Sequence, residues 1–262
     1  DLILLYDHDK VTDESDGEKP LAPSQYYIRL TQRLIAALSA PTAEGVLYEV
    51  DMRLRPSGNK GPVATHIESF GKYQRSEAWT WEHMALTRAR PIHGDDAFMD
   101  QIRREIDEVL SAPRDVKKIA KDVREMRDLI YQEKPPADDW DFKLKPGGIV
   151  DLEFIAQFAV LANKLDRKSR PLGTEEILSA LDPSFADPAL ADNLVGAHRL
   201  YTNLRQTNRL CLCGDAKREE FTPGMIDLLC RAADMPDIKR VEHHLAEVAV
   251  DVRTSFETLL NI

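Results

Sequence analysis

Cysteine is scarce in this sequence. Cys211, Cys213 and Cys230 are the only three in 262 residues, and their uneven spacing rules out a disulfide framework. A reducing, cytoplasmic setting is the expectation. Basic excess is missing as well: 35 lysines and arginines face 45 acids, a net charge of −10, which disfavours a general nucleic-acid binder. A local basic pocket inside an acidic protein is still compatible with that balance. No apolar run reaches the length of a membrane span, so no membrane association is expected, and no signal-like segment opens the chain. A repeat of fixed period, a phosphate-loop signature and a Ser/His/Asp arrangement are absent too. His243–His244 lacks the spacing of a zinc site, and the cysteines read as packing residues.

What is present is mostly amphipathic helix. Asp1–Tyr6 is a short apolar run fit for a strand; beginning at Asp1 without methionine, it has the look of a piece of a longer polypeptide. Residues 7–20 hold six acids against two lysines and read as a solvated loop. Ser24 is placed to cap a helix whose Tyr27, Leu30, Leu34 and Leu38 form an apolar stripe, ended by PTAEG at 41–45. A second strand, YEVDMRLR, follows. From about residue 66 the pattern predicts helices over 66–75, 77–90, 95–111, 114–133, 148–165, 174–181, 190–212, 223–233 and 237–260. The expected class is α+β: a small mixed domain over 1–95, then an all-α helical bundle over 96–262.

Four stretches carry chemistry. In YEVDMRLRPSGNKGP, residues 48–62, strand alternation would put Glu49, Asp51, Arg53 and Arg55 on one face, with Val50, Met52 and Leu54 in a core. Asp1 and Asp51, on neighbouring strands, suit magnesium, which takes one or two carboxylates plus substrate phosphates. Guanidinium forks match phosphate oxygens, and Gly58 and Gly61 let backbone N–H groups approach an anion. Against this stands a plainer reading, in which the aspartates face solvent and the arginines pair with surplus acids. EAWTWEHMALTRAR, residues 77–90, adds Arg88 and Arg90; here the tryptophans read as core and His83 as a packing histidine. FKLKPGGIVDLEF, residues 142–154, sets Lys143 and Lys145 before a Gly147–Gly148 turn that opens a helix bearing Asp151 and Glu153. Those acids either complement the helix dipole or approach the metal, with the lysines near phosphates.

VLYEVDMRLRPSGNKGPVAT, EAWTWEHMALTRAR and FKLKPGGIVDLEF, in that order, resemble the bacterial bifunctional glutamine synthetase adenylyltransferase/adenylyl-removing enzymes. RLRPSG and EAWTWEH are similar to the C-terminal, AMP-attaching half. The resemblance implies a polymerase-beta-like nucleotidyltransferase palm followed by a helical bundle. It implies Mg²⁺ held by Asp1 and Asp51, ATP as substrate, and a tyrosine of glutamine synthetase as acceptor, with control by PII proteins and glutamine. Arg53, Arg55 and Lys60 would face the polyphosphate. The family's Gly-Ser turn and first aspartate have no counterpart within residues 1–262, so the palm is expected to be truncated and weak alone. The adenylyl-removing half, or a helical docking module without activity, are the competing readings.

Overall fold

A computed structural model describes residues 1–8, 14–46, 48–165, 173–212 and 217–261. Residues 9–13 of the acidic loop and Cys213 lie outside the described residues. The chain divides into two compact units, Asp1–Leu110 and Ser111–Ile262.

In the first unit, β1 (Leu4–Tyr6) pairs in parallel with β4 (Ala64–His66), Leu5 opposite Thr65. The helix α1 (Pro23–Leu38) and the short hairpin β2 (Pro41–Thr42) and β3 (Gly45–Val46) come between them in sequence. Sequence patterning missed β4 and the hairpin, whose strands run for only two or three residues, too short for alternation to register. Helix α1 begins at Pro23 with Ala22 as its N-cap, so Ser24 sits inside the first turn rather than capping it. Its stripe is also turned: Leu30 and Leu34 are exposed, while Thr31 is buried and Tyr27 stacks on Tyr6 at 4.6 Å. Helices α2 (Ile67–Ser76), α3 (Thr80–Leu86) and α4 (Asp96–Ser111) complete the unit. Arg75 of α2 pairs with Glu105 and Glu108 of α4 at 2.6 and 3.0 Å, tying α4 to the first unit although the sequence pattern grouped it with the bundle.

The predicted strand at 48–55 does not form. Asp51 accepts a hydrogen bond from the Arg53 backbone N–H at 2.8 Å, closing a side-chain turn in place of a ladder. One backbone bond survives at this level: the Leu2 N–H donates to the Asp51 carbonyl at 2.9 Å, bringing the start of the chain alongside residue 51. Met52 is buried as expected.

The second unit is helical: α5 (Val116–Glu133), α6 (Ile149–Leu161), α7 (Thr174–Leu178), α8 (Pro188–Cys211), α9 (Pro223–Ala232) and α10 (Ile238–Leu259). Helix α6 is its centre, buried along its length except at Glu153, and packs against α5, α7, α8 and α10. A helix apolar all round belongs in a core, and here its neighbours each bring one apolar face to it. Within α6, Asp151 is fully buried. Arg127 of α5 donates to it from Nε, and the Gly147 N–H donates to its other oxygen at 2.6 Å. No helix among the described residues is long and apolar enough to cross a membrane.

Candidate functional site

The first unit carries a cleft of about 420 Å³ lined by Glu49, Val50, Asp51, Met52, Arg53, Arg55 and Asn59. The turn at Asp51 decides how these side chains point. Glu49 and Arg53 are exposed and Asp51 is half-buried. Arg55 is turned inward, where Nη1 donates to the Met52 carbonyl at 2.6 Å and Nε to the Gly61 carbonyl at 3.2 Å. The single charged face expected of a strand is therefore corrected, because residues 51–55 follow a turn. Through these two bonds Arg55 holds the 56–61 loop to its own stem while it lines the cleft.

Arg53 grips Asp51. Its Nε lies 3.1 and 2.8 Å from the two carboxylate oxygens and its Nη2 2.5 Å from Oδ2. Hydrogen bonds from the Arg53 side chain and then its main chain pull the Asp51 carboxyl from the ordinary 3.8 down to about 2. A lowered carboxyl stabilises the folded state above its unfolded value, and that contribution is lost as pH falls through about 2. At neutral pH Asp51 is an anion. The Arg53 side chain is 75% exposed, so this pair is a weak tie screened by solvent.

Lys60 ends a 3₁₀ turn, Gly58–Lys60, and is exposed. Ser57 and Gly58 both have left-handed φ, 61° and 52°, which folds the loop back toward Arg55. The Ser57 main chain hydrogen-bonds the Tyr73 hydroxyl, which donates to Glu82 at 2.9 Å. Glu82, buried, also accepts from the Trp79 backbone N–H at 2.9 Å. The 77–90 stretch thus reverses its expected sides: Trp79 is 70% exposed and Trp81 exposed, while the charged Glu82 is inside. A carboxylate that satisfies a backbone N–H and a phenol can be buried; an N-cap tryptophan has no core to enter. His83 is the packing histidine expected, its Nε2 2.8 Å from the Gln74 carbonyl. Arg88 and Arg90 are exposed. Glu82→Ala leaves both donors unpaired and is expected to cost about 1–3 kcal/mol in urea unfolding; a loss within error would show that water replaces the carboxylate.

The remaining predicted residues lie in the second unit. Lys143 is exposed, but Lys145 is buried, its Nζ donating to the Asp139 carbonyl at 3.2 Å and lying over the Phe142 and Tyr201 rings. Burial pushes its ammonium below the usual lysine range. Gly147, with φ +73°, and Gly148 turn the chain tightly beneath α10, and Asp151 holds that turn from inside. Lys145 and Asp151 are both buried and hydrogen-bonded within the unit. Glu153 is half-buried near His198.

Asn59 and Arg127 were not anticipated. A loop asparagine carries no signal of its own. Arg127 did carry one: it continues the buried Ile119, Val123 stripe of α5 at helical spacing, and an arginine on an apolar stripe demands a buried partner.

The cleft brings together an ionised carboxylate, the exposed guanidinium paired with it and the polar side chains of Glu49 and Asn59. Among the described residues no group of three or more His, Cys, Asp or Glu side chains could hold a metal. Magnesium, however, needs only one or two carboxylates beside a nucleotide, and the guanidinium on Asp51 is itself a stand-in cation, so the residues present fit. Residues 1–105 match the family described as glutamate-ammonia ligase adenylyltransferase. Over 260 residues, 99% of this chain, the sequence is 72% identical to the bifunctional glutamine synthetase adenylyltransferase/adenylyl-removing enzyme of Brucella suis biovar 1. It is 71% identical to that of Brucella melitensis biotype 1 and 56% identical to that of Mesorhizobium japonicum over the same 99%. The chain belongs to the glutamine synthetase adenylyltransferase family. It spans 26% of the length of each of these relatives.

Proposed function

We propose that the chain is the AMP-attaching, C-terminal part of such an enzyme, with a polymerase-beta-like palm in residues 1–95. AMP passes from ATP to a tyrosine hydroxyl of glutamine synthetase. The observation that carries this reading is the ionised Asp51 in its polar cleft, within a chain 72% identical to an enzyme named for that activity. Asp51, with Asp1 beside it, would hold magnesium, which when bound neutralises charge on the polyphosphate. Of the cations expected to face phosphates, Arg53, Lys60, Arg88 and Arg90 are exposed on the first unit. Glutamine synthetase and PII proteins are the proposed partners, and the cytoplasm is the proposed compartment.

The relatives' name carries two activities, so the assay has two arms. Unmodified glutamine synthetase with labelled ATP reads transfer; adenylylated glutamine synthetase with inorganic phosphate reads removal. Both are run on residues 1–262 and on a polypeptide of the relatives' length carrying this segment. Transfer is the expected activity. Asp51→Asn should reduce it at least about 100-fold with the fold intact, since even outer partners of metal ligands matter ~10–100-fold. Near-normal AMP incorporation in that variant, or activity confined to the phosphate arm, would overturn the reading.

A further inference from the structure

Resting on that reading of the cleft, we propose that Arg53 is an exchangeable counter-ion, which occupies Asp51 until a divalent cation displaces it and then serves the nucleotide's phosphates. The two oxygens of Asp51 are not equivalent. Oδ1 is fixed by the Arg53 backbone N–H at 2.8 Å, a bond that sets the carboxylate's orientation whatever the side chain does. Oδ2 receives only the guanidinium, from Nε at 2.8 Å and Nη2 at 2.5 Å. A divalent cation would take the same lone pairs, so guanidinium and metal compete for one place.

The exchange is easy in one direction. Among the described residues the Arg53 side chain bonds only Asp51, and it is 75% exposed. An exposed monovalent pair is screened by water, whereas a divalent cation brings twice the charge to a carboxylate already ionised. The displaced guanidinium stays tethered at the rim of the cleft that Asp51 and Asn59 also line. There it is a planar donor fork suited to phosphate oxygens. Arg55 also lines the cleft, but it is buried and tied through Nη1 and Nε to the Met52 and Gly61 carbonyls, so it is far less free to swing than Arg53. The cleft therefore holds its acid ready without leaving a bare anion. The cation and nucleotide sites are coupled through one side chain.

Manganese binding, read by the electron-spin signal of free Mn²⁺, tests the first half on residues 1–262. Arg53→Gln should tighten Mn²⁺ binding by about threefold or more, as loss of an exposed competing pair allows. Lys60→Gln removes the same charge from the neighbouring turn and should change it far less. Asp51→Asn should abolish the binding. With saturating Mg²⁺, Arg53→Gln should weaken a nonhydrolysable ATP analogue by about tenfold, the scale of a lost charge-assisted hydrogen bond. If Asp51→Asn binds Mn²⁺ as the wild type does, or the wild type binds none, the cation-site reading fails and the exchange with it. If Asp51→Asn abolishes binding while Arg53→Gln leaves it unchanged, or Lys60→Gln tightens it equally, the site stands and the exchange is wrong. Tighter Mn²⁺ with undiminished nucleotide affinity overturns the transfer of Arg53 to the phosphates.

Discussion

Arg127→Ala is expected to destabilise the helical unit by about 3–5 kcal/mol, the cost of stripping one partner from a buried ion pair. Arg127 is 1% exposed and Asp151 0%. Besides its bond to Asp151, Arg127 donates from Nη2 to the carbonyls of Leu144 and Lys145 at 3.0 and 3.2 Å. Truncation strips a donor from the Leu144 carbonyl and leaves the Asp151 carboxylate with the Gly147 N–H but without its close cation in a water-poor interior. Arg253 of α10, at 3.7 Å from the second carboxylate oxygen, offers only partial compensation. Domains are stable by about 5–15 kcal/mol, so the loss is a large share of the total. Urea unfolding followed by circular dichroism measures it. The double variant Arg127→Ala, Asp151→Ala should cost less than the sum of the single ones, because each single change strands the other's charge. Strict additivity would show that the two side chains do not act as a pair.

Gly147→Ala should be comparably damaging for a different reason. Gly147 has φ +73°, where an L side chain costs about 1–2 kcal/mol. An added Cβ would also fall 1.8 Å from the carbonyl oxygen of Ala249 in α10. That obstacle is backbone, so no rotamer change relieves it; the helix itself must shift. Overpacking of this kind adds about 1–3 kcal/mol, giving a total of roughly 2–5 kcal/mol. The expected signature is a lowered urea midpoint with altered near-UV dichroism from Trp140, which packs against Phe142 beside this turn. Unchanged stability and spectrum would mean that α10 does not press on the turn. Both substitutions act on one loop, residues 144–148, so their effects should not simply add.

That loop also marks where sequence reasoning turned from chemistry to packing. FKLKPGGIVDLEF offered two lysines, two glycines and two acids as candidates for a site. Lys145 and Asp151 fasten the turn to the centre of the unit, while Lys143 is exposed and Glu153 half-buried. Types and spacing could not separate these roles, because a buried lysine over aromatic rings and an exposed lysine near a phosphate look the same in one dimension. The same holds for RLR at 53–55: neighbouring arginines, one in solvent on a carboxylate, the other folded under its own loop.

Long helices were legible because their apolar spacing repeats over several turns; α4, α5, α8, α9 and α10 fall within a few residues of expectation. Helix α6 was found from its apolar run and the Gly-Gly turn before it. The short strands and α3 were not delimited, since two to seven residues hold too little pattern. The sequence by itself pointed to the α+β class, to the helical character of the second unit and to the family, and it singled out the stretch around Asp51 for chemistry. Only tertiary structure decided which charges are buried, that Asp51 turns the chain instead of extending it, and that Arg53 rather than Arg55 meets the carboxylate. Periodicity is a local property that repetition makes readable. A charge's surroundings depend on partners 20 residues or a whole helix away, and a linear pattern does not contain them.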